Sequence, residues 1–146
     1  MDHTKFQDIC VTAARALHAD ASEQDGRCSL TIDGIDVLVD LDEEADALHC
    51  YVDLGDANSH DRMEVCEQLL TLNLHTHLNH YGTYAFEPTS ARVIFCANLP
   101  EATAMNGDQL AEMLRYYIDE TDEARQMVGG IASKGGLGTL FTGKRA

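Results

Sequence analysis

The sequence predicts an α+β fold: an antiparallel sheet with helices packed mainly on one side, in the order α-β-β-β-α-β-β-α. Three observations predict it. Residues 28–54 read as three alternating strands joined by tight polar turns. Residues 83–99 read as two further strands around a turn containing Pro88. Around them lie three stretches, near residues 5–19, 59–81 and 108–128, with apolar side chains three and four apart. Strands in hairpins, followed by helices, give a sheet with its helices gathered on one face.

The first helix is expected over Lys5 to Ala19. Thr4 and Gln7 have the spacing of a capping box, and Phe6, Ile9, Cys10, Ala13, Ala16 and Leu17 form its apolar stripe. Ala21 to Gly26 reads as a polar linker. Cys28 to Ile32 then alternates as a strand. Asp33-Gly34 is the hairpin turn, because both central positions of a type I′ turn need positive φ. The return strand, Ile35 to Leu41, puts Ile35, Val37, Val39 and Leu41 on one face. Its other face carries Asp36, Leu38 and Asp40. After the acidic turn Asp42 to Asp46, a third strand from Leu48 to Leu54 puts His49, Tyr51 and Asp53 on its polar face.

The second helix starts at Ser59, a good N-cap, with Asp61 placing negative charge in the first turn. Met63, Cys66, Leu70, Asn73, Leu74 and His77 recur along it, and Leu69, Leu72 and Leu78 widen the stripe. Such breadth predicts burial on more than one side, with apolar surface left for a second partner. Gly82 ends it. Thr83 to Phe86 and Arg92 to Leu99 are the last two strands, and Pro100 closes the second. The final helix is expected from Asp108 to Val128, with Gly129-Gly130 as its stop. Residues 1–128 are expected to form one domain. The Gly-rich tail, residues 129–146, is expected to be disordered, since its composition buries too little to offset ordering.

The net charge is −15. The tail holds three bases and no acid, leaving 7 bases against 25 acids in residues 1–128, a net of −18. This speaks against nucleic acid as a partner, since its phosphates would be repelled, and fits solubility or a basic partner. No run is long and apolar enough to span a membrane and no signal peptide follows Met1, so the expected compartment is the cytoplasm. The five cysteines (Cys10, Cys28, Cys50, Cys66 and Cys96) are scattered without a C-x-x-C pair and read as reduced core residues.

Sites for chemistry are weak. His75, His77 and His80 crowd the end of the second helix, but one helix end does not converge three ligands tetrahedrally on zinc. His49 and Cys50 are adjacent on one strand and point to opposite faces, so they form no dyad. Gly135-Gly136-Leu137-Gly138 lacks the Lys-Ser/Thr and preceding strand of a phosphate loop, and Asp40 to Asp46 lacks the ligand spacing of a calcium loop. No metal site and no cofactor is expected. The informative oddities are apolar residues on polar strand faces: Leu38 between Asp36 and Asp40, Tyr51 between His49 and Asp53, and Ile94 with Cys96 between Arg92 and Asn98. A covering helix or a second copy explains them. So does a shallow apolar groove rimmed by carboxylates that takes an extended peptide.

Glu67, Leu69, Leu70, Asn73 and Leu74, followed by Gly82, Tyr84, Phe86, Pro88, Ser90, Val93, Ile94, Leu99 and Pro100, form one ordered pattern. In order and spacing it resembles the Tir-chaperone family, the class I chaperones of type III secretion. The resemblance covers residues 5 to about 128. It implies the same element order and a non-enzymatic bacterial homodimer. Such a dimer binds the unfolded N-terminal segment of a secreted effector in extended form, without ATP, and keeps it secretion-competent. By the same resemblance, Phe6, Ile9, Ala13, Leu38, Tyr51 and Ile94 are the expected effector-binding residues. Leu74, Leu78, Tyr84 and Phe86 are the expected dimer contact. The histidines and tyrosine after the second helix and the basic tail depart from the family pattern, and the tail leaves room for a role at the secretion apparatus or in self-inhibition. Two other classes stay open: a small cytoplasmic metal- or thiol-dependent α+β enzyme, and an adaptor that binds a folded basic protein by charge.

Overall fold

The computed structural model describes residues 1–57, 62–76 and 82–136, and side chains as far as Gly129. Helix α1 (His3–Leu17) is followed by strands β1 (Asp20–Gln24), β2 (Arg27–Ile32), β3 (Ile35–Asp42) and β4 (Ala47–Asp56). Helix α2 (Arg62–Thr76), strands β5 (Thr83–Glu87) and β6 (Arg92–Pro100), a 3₁₀ turn (Ala102–Ala104), and helices α3 (Gly107–Glu120) and α4 (Asp122–Gly136) complete the described chain. The six strands form one sheet in the order β1-β2-β3-β4-β6-β5. The α+β class and the antiparallel pairing agree with expectation.

Four local expectations need correction. Helix α1 starts earlier than expected: its cap is Asp2, whose Oδ1 accepts from Lys5 N at 2.9 Å, and not Thr4. Residues 20–24 are an edge strand rather than a linker. They pair with β2 across Asp25-Gly26, both at positive φ, the same two-residue turn as Asp33-Gly34. The last helix is two helices with a break at Thr121. Gly129-Gly130 does not stop α4, which runs to Gly136; a glycine inside a helix weakens it by about 1 kcal/mol without forbidding it. Leu137 to Ala146 lie outside the described residues.

The chain forms two compact units. The first combines residues Met1–Val52 with Cys96–Glu120. One sheet face of this unit is its core: Cys28, Leu30, Ile32, Val37, Val39, Leu48, Cys50 and Val52 are buried on alternate positions. Helix α1 covers that face with Phe6, Ile9, Cys10, Ala13 and Leu17, and α3 adds Leu110, Leu114, Tyr117 and Ile118. The two helices approach closely at Gly107, where a Cβ would stand 2.4 Å from Thr12 Cβ. Burial pushes the Cys50 thiol up to about 12, so this thiol is inert packing.

A polar clasp ties the turn after β3 to the 3₁₀ turn. Asp46 accepts from Thr103 Oγ1 at 2.7 Å and Thr103 N at 3.1 Å, and the amino terminus lies 3.4 Å away. The hydroxyl of Thr103, its backbone N–H and the terminal amine hold the Asp46 carboxyl below its ordinary value.

The second unit combines Asp53–Phe95 with Thr121–Ala146. Helix α2 buries Val65, Leu69 and Thr76 and packs on β5. The side chain of Asn73 joins that strand as a backbone group would: its Nδ2 donates to Tyr84 O at 2.9 Å, and its Oδ1 accepts from Tyr84 N at 2.7 Å. The Tyr84 ring meets the Phe95 ring at 5.1 Å. Leu54, Val93, Ala124 and Val128 complete this core.

Candidate functional site

The second face of the first unit's sheet is left open by α1 and α3. Strand register aligns its side chains in rows. One row is Arg27, Asp40 and His49; the next is Ser29, Leu38 and Tyr51; a third is Thr31 with Asp36. Leu38, Tyr51 and Cys96 are all half-buried rather than covered. They form a small apolar centre on an otherwise polar face.

The rim of that centre is ion-paired. Arg27 clamps Asp40 with two bonds, Nε to Oδ1 at 2.7 Å and Nη2 to Oδ2 at 2.8 Å. His49 Nε2 lies 3.2 Å from Asp42 Oδ2. Burial, and then the charge of Asp40, push the Tyr51 phenol up, so it stays neutral and presents a ring and a hydroxyl. Of the expected carboxylate rim, Asp40 is held by Arg27, while Asp36 accepts from Thr31 Oγ1 at 3.3 Å, so the face offers apolar contact and hydrogen bonding beside a reduced acidic edge.

In the second unit, Ile94 is also half-buried, and Arg92 clamps Asp53 with its Nε and Nη2, the former at 3.1 Å. Phe6, Ile9 and Ala13 are placed differently. All three are buried under 6% exposure in the core of the first unit, where they hold α1 in place, so they present no surface to a ligand.

The broad stripe read from sequence on α2 is divided in the structure: Leu69 is buried and Asn73 reaches Tyr84, while Met63, Leu70 and Leu74 face outward. Met63, Leu70 and Leu74 are 75%, 69% and 64% exposed, with Cys66 half-buried among them. The inner face is Val65, Leu69 and Thr76. Of the expected contact residues, Leu74 is exposed, Phe86 is half-buried with Arg62 stacked 5.2 Å over its ring, and Tyr84 is buried. Leu78 lies outside the described residues, as do Ser59, His77 and His80. His75 is exposed. Among the described residues no group of three His, Cys, Asp or Glu is placed to hold a metal ion, and no helix is long and apolar enough to cross a membrane.

The model of the Tir chaperone protein (CesT) family matches residues 17–125, about three quarters of the chain. The chain belongs to the Tir chaperone protein family. The match contains all of β1 to α3 and the Glu67-to-Pro100 pattern. Within that pattern Asn73 now has a physical reason, as the brace between α2 and β5. Solved structures share the fold. The chain resembles one in the HopA1-SchA chaperone-effector complex at 15% identity and a TM-score of 0.66, covering 86% of this chain and 98% of that one. It resembles one in the ExsC-ExsE complex at 19% identity and a TM-score of 0.67, covering 88% and 97%. A third, in the ExoT-SpcS complex from Pseudomonas aeruginosa, matches at 12% identity and a TM-score of 0.52, covering 84% and 98%. No curated protein sequence matches significantly.

Proposed function

We propose that this chain is a cytoplasmic type III secretion chaperone without enzymatic activity. It works as a homodimer and holds the N-terminal segment of a secreted effector in extended, non-globular form, without ATP. The observation that carries the reading is the open sheet face, where Leu38, Tyr51 and Cys96 are half-exposed among paired ions. An extended segment satisfies such a face by seating alternate apolar side chains. Membership of the family supports the reading, as do the fold relatives, one of which is described as a chaperone in complex with an effector. Dimerisation is supported by the outer stripe of α2, because three large apolar side chains exposed along one helix mark an association surface.

Leu38, Tyr51 and Ile94 are the proposed segment-binding residues, and Met63, Leu70, Leu74 and Phe86 the proposed dimer contact. Recovery of the client from cells expressing the secretion system tests the first assignment. The wild-type chain recovers a secreted effector through its N-terminal segment, and Leu38→Asp with Ile94→Asp loses it at unchanged chaperone mass. Undiminished recovery by that double variant rejects the site.

A further inference from the structure

The first unit carries a second groove, away from the open face. Leu99, Ala104, Met105 and Met113 form its apolar surface, Glu101, Gln109 and Glu112 stand around it, and its volume is about 430 Å³. Leu99 alternates with the buried residues Ala97 and Phe95 along β6, so the groove opens on the helix-bearing side of the sheet, opposite Cys96.

Three features fit this groove to a ligand. Its volume falls within the ~300–1,000 Å³ of ligand clefts, and it is open and shallow, a shape that takes one side chain of an extended segment rather than enclosing a small molecule. Two of its apolar residues are methionines, whose unbranched, polarisable chains adapt to differing apolar shapes. Its charge is uncompensated. Among the described residues the Glu101 and Glu112 side chains make no hydrogen bond or ion pair. The nearby cations are engaged elsewhere: Arg115 Nη1 lies 2.6 Å from Asp33 Oδ2, Lys5 donates to Thr103 O at 2.5 Å, and the terminal amine lies against Asp46 and Thr103. An apolar floor between two free carboxylates complements one kind of segment.

We infer that the Met105–Met113 groove docks a protein segment that sets a large apolar side chain between lysines or arginines. The apolar side chain fills the groove, and the flanking cations meet Glu101 and Glu112. This site is independent of the open sheet face and of the chaperone reading.

The test uses the full chain labelled with ¹³C at its methionine methyls. The probes are a capped octapeptide of alternating lysine and leucine pairs, and its twin with glutamate in place of each lysine. The lysine peptide is expected to move the Met105 and Met113 signals while Met63 and Met127 stay still. The glutamate twin is expected to bind about tenfold more weakly, as two lost exposed ion pairs imply. Glu101→Lys with Glu112→Lys, both at exposed positions, is expected to reverse the preference. Leu38→Asp with Ile94→Asp is expected to leave it intact, which separates this site from the client face. The inference is overturned if neither peptide moves the two signals, or if both move them equally. It is equally overturned if they move with protein concentration alone, since a second copy is then the occupant.

Discussion

Asn73 shows how much one polar side chain contributes here. It supplies both a donor and an acceptor to Tyr84, so its removal takes away two hydrogen bonds that brace the start of β5. Asn73→Ala is expected to cost about 2 kcal/mol, read as a lower urea midpoint with the slope unchanged. Gly107 is constrained by space instead. Its alanine variant drives Cβ into Thr12 Cβ and Cγ2, at a cost of about 1–3 kcal/mol, and Thr12→Ala brings only part of the relief because it removes Cγ2 and keeps the nearer Cβ.

Acid sensitivity also belongs to particular residues. Asp42, held by the Ala45 N–H and by His49, Asp46, held by Thr103, and Glu87, held by Ser90, all have carboxyls lowered from ordinary values of 3.8, 3.8 and 4.5. A group lowered in the folded state adds stability above its unfolded value, and that stability is lost as pH falls through the folded one. Urea midpoints are therefore expected to hold steady from neutral pH to about 4 and to fall below it. Asp46→Asn should flatten part of that fall, and an unchanged acid limb would remove Asp46 from the account. At this scale the sequence exposed Leu38, Tyr51 and Ile94 through a break in alternation. It did not expose the burial of Phe6, Ile9 and Ala13: the stripe on α1 reads identically whether it meets its own sheet or a client.

At the scale of elements, what was legible depended on signals with short range. Asp33-Gly34 announced its hairpin, and Asp25-Gly26 carries the same chemistry. The strand before it escaped reading because Asp20, Ala21, Ser22, Glu23 and Gln24 are an exposed edge with no apolar alternation to betray them. The break at Thr121 was invisible for another reason. Buried positions continue through it at Tyr117, Ile118, Thr121, Ala124 and Val128, so the helical period never falters. On α2 the apolar stripe was found, but which of its residues meet the sheet was not, since Leu69 widens the stripe of Met63, Leu70 and Leu74 and the inward Val65 lay outside it. The exposed stripe is the proposed dimer contact. Leu70→Asp with Met63→Asp is expected to shift the mass in solution at micromolar concentration to that of a 16.0 kDa monomer, with helical content unchanged. A wild-type monomer under those conditions would leave the stripe without that role.

For the whole molecule, 25 acidic residues against 10 basic ones favour solubility in a chain with several exposed apolar surfaces. The fold class and the family were legible because a pattern of order and spacing spans many elements and survives errors in any one of them. The proposed client face was half legible. Its apolar centre stood out in sequence, whereas the pairing of Asp40 with Arg27, 13 residues apart, needed the strand register to be seen. That pairing makes the face's grip chiefly apolar, so client binding is expected to persist when salt is raised from low to moderate concentration, where binding by charge would collapse. Thiol footprinting tests client binding at the open face most directly. Cys96 sits on the open face and Cys66 on the outer stripe of α2, while Cys10, Cys28 and Cys50 are buried. Alkylation at mildly alkaline pH, followed by peptide mass analysis, reads each thiol with and without the co-purified effector segment. Cys96 is expected to react several-fold more slowly in the complex while Cys66 reacts as in the free chaperone. An unchanged Cys96 rate in a fully formed complex would contradict client binding at the open face and place the effector elsewhere.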